Sequence, residues 1–431
     1  MRMLLKNGLV YERGTFVPMD IEVTDGIVTG RGHSLSSEQP GVVFELNGLH
    51  VFPGFVDVHV HLREPGFSYK ETIASGTRAC ARGGYTAVCA MPNLNPVPDS
   101  DEHLRAQEEI IARDAAIRVL PYGAITLGQK GEGELTDIAG LAGRVAGFSD
   151  DGRGVKEEAT MREAMERCKA AGSIIAAHCE DMSLIPPGGA IHDGAFAREH
   201  GIPGIPSESE WGPIERDIRL AKETGCRYHV CHVSCKESVA LIRQAKAEGV
   251  DITCETGPHY LLMCQDDLRD EGRFKMNPPL RNADDRDALL EGLLDGTIDV
   301  IATDHAPHSA DEKSRGLRGS AMGVVGIETA FPLLYTHLAE TGKVPLERIV
   351  EMLTDAPRKR FRLDGGLNIG DRAEITVFDL HAKGTVDPAE FLSMGKATPF
   401  EGWEIHAACK LTICGDSVAY NALSYESRLK A

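Results

Sequence analysis

The chain has 431 residues, of which 42% are hydrophobic and 26% are charged, a composition typical of a globular protein long enough for one large domain and one smaller one. The 65 Asp and Glu residues outnumber the 46 Lys and Arg residues, and the formal net charge of −19 argues against nucleic acid or an anionic membrane as a partner. No long apolar run is present, and the first residues do not resemble a signal peptide. We therefore expect a protein without a transmembrane helix or leader.

The eleven cysteines are odd in number and scattered, unlike the even sets of disulfide-stabilised secreted domains. Cys231 and Cys235 flank His232, so a cysteine-ligated metal is an alternative, although no CxxC pair accompanies them. We expect reduced cysteines and a cytoplasmic location.

Both ends of the chain are rich in short alternating apolar and polar runs separated by turn residues. Asn7-Gly8 and Asp25-Gly26 are hairpin signals, because both residues of each pair tolerate positive φ. The same alternation of apolar and polar residues, broken by turn residues, returns at 366–380 and 409–420. The pattern predicts one small β-sandwich domain assembled from residues 1–51 and 366–431.

The segment between these ends, residues 52–365, alternates apolar runs with helical stretches such as 101–114, 156–172 and 236–249. The eight apolar runs that we predict as strands are 52–64, 85–93, 117–126, 145–152, 173–181, 227–234, 251–260 and 299–308. Strands alternating with helices in this number predict an α/β fold, a (β/α)8 TIM-like barrel. An open doubly wound sheet is the alternative, but the GxGxxG turn expected after its first strand is missing.

Polar residues close nearly every run at its C-terminal end, the face on which barrel active sites lie. In the first run, strand alternation predicts that Asp57, His59 and His61 share one face. The valines at 56, 58 and 60 would then pack against the outer helices. Residues two apart on a strand are separated by about 7 Å, a distance that two ligands of one ion can span.

Single histidines, His178 and His232, end the fifth and sixth runs, and Asp304 closes the eighth. A divalent ion held where these ends meet would lower the pKa of water toward about 7 and polarise a carbonyl group. Asp304 could then accept a proton from the water. His229 and His305 are offset by odd steps from these residues, so we predict structural roles for both.

Six motifs carry a family resemblance: DVHVHLREPG (57–66), MPN (91–93), GFSDDG (147–152), MNPPLR (276–281), ATDHAPH (302–308) and KATPFEG (396–402). Together they resemble dihydroorotases of the long bacterial type, in the amidohydrolase superfamily. The resemblance implies six metal ligands, with Asp151 bridging two ions and Asp304 also acting as catalytic base; the set is His59, His61, Asp151, His178, His232 and Asp304. It implies four substrate-binding residues, which are Arg63, Asn93, Asn277 and His308.

The implied activity is the reversible hydrolysis of the cyclic amide of (S)-dihydroorotate to N-carbamoyl-L-aspartate, in de novo pyrimidine (UMP) biosynthesis. Zn²⁺ would be the cofactor, with one or two ions per chain and other divalent ions as alternatives. The resemblance also implies a homodimer, and a complex with aspartate transcarbamoylase as a further option. The substrate chemistry agrees, because Arg63 can bind a carboxylate through two parallel hydrogen bonds and a lysine cannot.

Two alternatives stay open. Hydantoinases and allantoinases use the same scaffold on related cyclic ureides, but usually bridge their metals with a carboxylated lysine at the end of the fourth strand. The fourth run here offers Asp150 and Asp151, and Lys156 follows five residues later. The second alternative is an inactive dihydroorotase homologue that serves only as a partner of aspartate transcarbamoylase.

Two further segments, residues 256–260 and 309–320, lie near the predicted site. Residues 256–260, TGPHY, depart from the family pattern, so we leave His259 outside the site. Residues 309–320 directly follow His308 and have no helical or strand periodicity. Because long irregular loops at active-site faces are more often functional, we predict that this segment closes over the pocket when ligand binds.

Overall fold

The computed structural model describes residues 1–35, 41–423 and 428–429. Its strands, labelled β1 to β18 in chain order, are Arg2–Glu12, Thr15–Thr24, Ile27–Gly32, Val42–Glu45, His50–Pro53, Phe55–Val60, Tyr85–Ala90, Arg118–Pro121, Ile174–Ala177, Ile191–His192, Gly204–Ile205, Arg227–Val230, Ile252–Thr256, Val300–Ile301, Glu374–Thr385, Glu404–Cys414, Ser417–Asn421 and Arg428–Leu429. Its α-helices, α1 to α14, are Ile73–Arg82, Asp101–Asp114, Ile138–Leu141, Glu158–Ala170, Ala195–Glu199, Glu208–Thr224, Lys236–Ala247, Pro258–Leu262, Ala283–Asp295, Ala310–Lys313, Gly316–Gly319, Ala330–Leu334, Leu346–Leu353 and Asp355–Phe361.

The three predicted helical stretches coincide with α2, α4 and α7, which confirms them. Helix α2 begins after Ser100, whose side-chain oxygen accepts the backbone N–H of His103 and so satisfies one free donor of the first turn. Asp101 and Glu102 add negative charge where the helix dipole is positive. Local sequence signals therefore suffice to place the start of α2.

Strands from both ends of the chain form one nine-stranded sheet in the order β17-β16-β15-β5-β1-β2-β3, with β4 paired to β1 and β18 paired to β4. One contact between the two ends is the antiparallel pair of β5 and β15, in which Val51 lies opposite Val377; the pair of β4 and β18 is another. Val51 and Val377 belong to an apolar cluster that is drawn from both ends of the chain. Residues 36–40, 424–427, 430 and 431 of the predicted end domain lie outside the described part of the chain.

One of the two predicted hairpins is wrong. Asn7 and Gly8 lie inside β1, where the pairing with β2 shifts register between Leu5 and Gly8 and Asn7 has a φ of 58°. A bulge uses the same positive φ that a hairpin turn uses, so the dipeptide alone does not distinguish them. The turn lies instead at Arg13-Gly14, between Glu12 and its partner Thr15. The second prediction is confirmed, because Asp25-Gly26 connects β2 to β3.

The middle of the chain consists of parallel strands separated by helices, which confirms the α/β class. β6, β7 and β8 form one sheet, and β14, β13, β12 and β9 form another. Isolated parallel bridges join Gly123 to Phe148, Phe148 to Ile175, and Val60 to His305.

The prediction of a strand over residues 145–152 is wrong, because Phe148 forms only these isolated bridges. The chain turns at residues 151–153. Just before this turn, the Asp150 carboxylate accepts the backbone N–H groups of Ile125 and Thr126.

The predicted division of β6 into a histidine face and a valine face is also wrong. The pairing of β6 with β7 shifts register between Asp57 and Val60, and such an irregularity breaks the strict alternation of side chains. Val56 and Val58 pack in a cluster formed mainly by residues of the parallel strands, whereas Val60 packs in the larger cluster that includes helix residues. Asp57 turns toward Thr303, whose hydroxyl donates to it at 2.6 Å.

All eleven cysteines are free, and ten of them are buried, as expected for reduced thiols.

Within the described ranges, no helix combines the length and the apolar character that crossing a membrane requires.

Candidate active site

The six predicted metal ligands come from five separate places in the chain and converge at one buried site. His59 lies on β6 and His61 follows it, while the other four lie in the segments that follow β9, β12, β14 and the Phe148 bridge. His232 and Asp304 have φ values of 35° and 46°, and Arg63 has a φ of 63°. Left-handed backbone at non-glycine residues is costly and concentrates at functional sites, where the surrounding structure maintains it.

The carboxylate of Asp151 lies at the centre of the cluster. Its Oδ1 atom is 3.4 Å from His59 Nε2, 3.5 Å from His178 Nδ1 and 3.6 Å from His232 Nε2. Its Oδ2 atom is 3.6 Å from His61 Nε2. These atoms form two groups that share Asp151: one contains His59 and His61, and the other contains His178 and His232.

The geometry of both groups fits a divalent metal ion. Ligands bound to zinc at about 2.0–2.1 Å in a tetrahedron are separated by about 3.3–3.4 Å, close to the separations around Asp151. His59 Nε2 and Asp151 Oδ1 are buried, and neither has a hydrogen-bond partner among the described residues. Burying such atoms without a partner is costly, and a cation would supply one.

The electrostatics of the cluster point the same way. Burial lowers the pKa of His59, but the carboxylates of Glu255, Asp304 and Asp151 outweigh this and raise it well above its usual value. Burial likewise lowers the pKa of His178, and the nearby carboxylates of Asp151 and Glu180 raise it overall to about 10. The buried carboxylates therefore favour positive charge at this position, which a divalent cation would provide.

Asp304 lies beside the first group. Its Oδ1 atom is 3.0 Å from His61 Nε2 and 3.6 Å from His59 Nε2. Burial raises the pKa of Asp304, and the imidazoles of His59 and His61 bring it below its usual value. The carboxylate is thus held in the ionised form that a proton acceptor needs.

The adjacent Asp150 has a different role from Asp151. Its carboxylate accepts the Thr126 hydroxyl and backbone N–H groups of Ile125, Thr126 and Gly131, and it does not face the imidazoles. Asp151 is positioned through its backbone oxygen, which accepts amide N–H groups from Asn93 at 2.8 Å and from Gln129 at 2.7 Å.

The guanidinium group of Arg63 is buried at the edge of the cluster. Its Nε donates to the carbonyl of Pro307 at 3.1 Å, and among the described residues no carboxylate lies within salt-bridge distance of it. His308 Nε2 lies 3.3 Å from Arg63 Nη2, but it is closer to the carbonyl of Met322, at 2.7 Å. Since a nitrogen that donates to Met322 cannot also accept from Arg63, the outer edge of the guanidinium is available to an anion.

The other predicted substrate residues also lie near the cluster. Asn93 has a buried Oδ1 atom with no partner among the described residues. Asn277 donates through Nδ2 to Glu180 Oε2 at 3.1 Å. Both nitrogens of His308 have protein partners, because Nδ1 is 3.3 Å from Lys70 Nζ. In this structure His308 therefore contacts Arg63 but has no free N–H group of its own.

Comparison with known proteins agrees with this geometry. Residues 48–238 match the family described as Dihydro-orotase-like. The chain is 50% identical to a dihydroorotase of Geobacillus thermodenitrificans over 97% of this chain and 99% of that protein. It is 48% identical to a dihydroorotase of a Geobacillus sp. over 97% of this chain and 99% of that protein. The chain belongs to the dihydroorotase family.

A solved structure of L-hydantoinase (dihydropyrimidinase) from Arthrobacter aurescens has the same fold as this dihydroorotase-family chain. The TM-score is 0.87 at 27% sequence identity, and the match covers 98% of this chain and 96% of that one. Together the two kinds of relative identify a metal-dependent cyclic amidohydrolase. The hydantoinase alternative fits less well, since Lys156 forms an exposed ion pair with Glu132, at 2.7 Å, away from the cluster.

Sequence reasoning missed two carboxylates that contact the proposed ligands in this dihydroorotase-family site. Glu255 on β13 contacts His59, and Glu180 contacts His178. For Glu255, the available signal was its position inside an apolar strand, because a buried charge requires a partner. Glu180 had only its position two residues after His178 as a signal.

The histidines that the sequence analysis set aside all lie outside the two ligand groups. His229 hydrogen-bonds to Thr253 and Glu255. Burial lowers the pKa of His305 to about 3 and that of His259 to about 4, so both are neutral.

The prediction that residues 309–320 lack regular structure is wrong. They contain α10 and α11, and Ser309 forms a capping box with Glu312 at the start of α10. Lys313 is buried and donates to the carbonyls of Lys275, Ala321 and Gly323 at 2.7 to 3.0 Å. Short helices of four residues are too brief to show periodicity. Closure on ligand binding stays a prediction.

Proposed function

We propose that this chain catalyses the reversible hydrolysis of the cyclic amide of (S)-dihydroorotate to N-carbamoyl-L-aspartate, in de novo pyrimidine (UMP) biosynthesis. The observation that carries the proposal is the buried Arg63 guanidinium, which has an available edge and lies beside the histidine–aspartate cluster. Dihydroorotate presents a free carboxylate next to its ring amide, so one end of the substrate would bind Arg63 while the amide faces the cluster.

The proposal includes a scaffold in which the eight predicted segments close into a (β/α)8 barrel over residues 52–365, with a β-sandwich from residues 1–51 and 366–431. The bridges through Phe148 and from Val60 to His305 support closure, because they lie between the two parallel sheets on both sides. The likeness to a hydantoinase over nearly the whole chain is a second support.

We propose two divalent ions, most simply zinc, at the two ligand groups that share Asp151. His59, His61 and Asp304 would hold one, and His178 and His232 would hold the other. A bound divalent ion would activate water at neutral pH and polarise the amide carbonyl.

The chain's own residues supply binding and proton transfer. Arg63 binds the substrate carboxylate through two N–H groups, and Asn93 and Asn277 lie where they can contact the ring or the carboxylate. Water attacks the amide carbon, and the Asp304 carboxylate accepts the proton that the water loses. Asp304 then donates this proton to the ring nitrogen as the C–N bond breaks, which regenerates its carboxylate.

We retain three further predictions: a homodimer, a complex with aspartate transcarbamoylase, and a cytoplasmic location that suits eleven free cysteines. The inactive-homologue alternative is disfavoured because all six proposed ligands converge on one site.

The decisive experiment is to assay the purified protein on dihydroorotate, hydantoin and allantoin, with its metal content measured in parallel. We expect turnover of dihydroorotate to exceed that of the two other substrates by orders of magnitude. A preference for hydantoin or allantoin would overturn the substrate assignment. Metal-loaded protein that acts on none of them would favour the scaffold alternative.

A further inference from the structure

The imidazole of His59 is held between two carboxylates. Its Nδ1 atom is 2.6 Å from Glu255 Oε1, and its Nε2 atom faces Asp151 Oδ1 at 3.4 Å. His59 and Glu255 are both almost fully buried, with side-chain exposures of 0% and 1%. A neutral imidazole has one N–H group, and Glu255 stabilises it on Nδ1, which leaves the Nε2 lone pair directed at the cluster.

His178 has the opposite arrangement. Its Nε2 atom is 3.2 Å from Glu180 Oε2, while its Nδ1 atom is 2.9 Å from His232 Nε2 and 3.5 Å from Asp151 Oδ1. Glu180 therefore stabilises the N–H group on Nε2, and the Nδ1 lone pair faces the cluster.

Not every imidazole of the cluster has such a partner. His61 directs Nε2 toward Asp304 and Asp151, and its buried Nδ1 atom has no hydrogen-bond partner among the described residues. Each ligand group thus contains one histidine that a glutamate orients, and the two glutamates are different residues from different segments.

Both glutamates have further contacts that fix their own positions. Glu255 accepts from His229 Nε2 at 2.9 Å and from the backbone N–H of His232 at 3.3 Å. Glu180 accepts from Asn277 Nδ2 at 3.1 Å. Neither carboxylate is free to turn away from its histidine without losing these bonds.

We propose that Glu255 and Glu180 are positioning residues that impose opposite tautomers on His59 and His178, so that His59 binds one metal ion through Nε2 and His178 binds the other through Nδ1. This inference rests on the two-ion site of the proposed function and is independent of the substrate. Carboxylate partners of ligating histidines typically contribute 10- to 100-fold in metal affinity. Each glutamate should therefore control mainly the ion of its own group.

The direct test is NMR of the zinc-loaded full-length protein labelled with ¹⁵N-histidine, which distinguishes Nδ1–H from Nε2–H imidazoles. His59→Asn and His178→Asn variants assign the two resonances. We expect Nδ1–H for His59 and Nε2–H for His178. The same tautomer on both residues would overturn the proposal.

The second test measures zinc affinity in competition with a chromophoric chelator, for Glu255→Gln and Glu180→Gln. Glu374→Gln is the matched control. Glu374 is a buried carboxylate that pairs with Arg358 at 2.9 Å and lies outside both ligand groups. We expect each glutamine variant to lower the binding affinity for one of the two zinc ions about 10- to 100-fold. Glu374→Gln should leave both affinities unchanged. Wild-type affinity for both ions in both variants would overturn the proposal.

The outcomes separate this inference from the proposed function. Wild-type protein that binds two zinc ions with the expected tautomers but does not hydrolyse dihydroorotate would contradict only the substrate assignment. Efficient hydrolysis combined with unchanged zinc affinity in both glutamine variants would contradict only the positioning role. If Glu255→Gln fails to fold, the zinc affinity of Glu180→Gln still decides the positioning role for the second ligand group.

Discussion

Asp151 Oδ1 and His59 Nε2 face each other at 3.4 Å, and within the described ranges neither atom has a hydrogen-bond partner. Both side chains are buried, so neither atom can form a hydrogen bond with bulk water. Two unsatisfied polar atoms on either side of a small gap are an arrangement that a bound cation would stabilise.

Removal of the metal should abolish hydrolysis. Prolonged dialysis against a chelator is expected to give inactive protein, and addition of Zn²⁺ should restore the activity, because the water would otherwise lack an activating ion. Protein dialysed without chelator is the control, and metal content is measured on every sample. Full activity in metal-free protein would contradict the proposed site.

Asp304→Asn should separate metal binding from proton transfer. The amide is nearly isosteric with the carboxylate but cannot carry the proton from water to the leaving nitrogen. We expect most of the metal to stay bound while kcat falls by about 10²- to 10⁴-fold. Steady-state kinetics and metal analysis on the same preparation test this, and near-normal turnover would exclude Asp304 as the base.

Asp151→Ala should lower the metal content from two ions toward one per chain, because both ligand groups share this carboxylate. Asp150→Ala is the matched control, since it removes the neighbouring carboxylate, which bonds to Thr126 and backbone N–H groups. That variant should lose thermal stability yet keep its metal stoichiometry. Two ions per chain in Asp151→Ala would show that Asp151 does not bridge.

Arg63→Met should affect substrates according to their charge. Loss of two charge-assisted hydrogen bonds to the carboxylate is worth about 3 kcal/mol, or roughly a hundredfold in kcat/KM for dihydroorotate. An uncharged cyclic ureide such as hydantoin should be a poor substrate for the wild type and little affected by the change. Exposed Arg78→Met serves as control. Equal losses on both substrates would mean that Arg63 is structural.

Lys313→Met should loosen residues 309–320 specifically. The substitution keeps an apolar stem but leaves the carbonyls of Lys275, Ala321 and Gly323 without the ammonium donor. At about 1 kcal/mol for each lost bond, the local stability falls by about 3 kcal/mol. Limited proteolysis should cut the variant within this segment sooner than the wild type, and ligand should slow that cleavage. Equal cleavage rates would show that Lys313 does not anchor the segment.

The sequence by itself determined which residues could carry the chemistry. His59, His61, His178, His232 and Asp304 stand at the ends of apolar runs, and the parallel arrangement of such runs brings their ends together. Apolar periodicity was also sufficient for α2, α4 and α7, because that signal acts within a few residues of the chain.

Only the tertiary structure decided which nitrogen of each imidazole faces the cluster. The partners of His59 and His178 include Glu255, which is 196 residues away from His59 along the chain. The local sequence pattern also did not predict the register shift in β6 or the turn after Phe148. A bulge, a tautomer or a buried ion pair depends on contacts between distant segments, and strand alternation describes only the local repeat of the backbone.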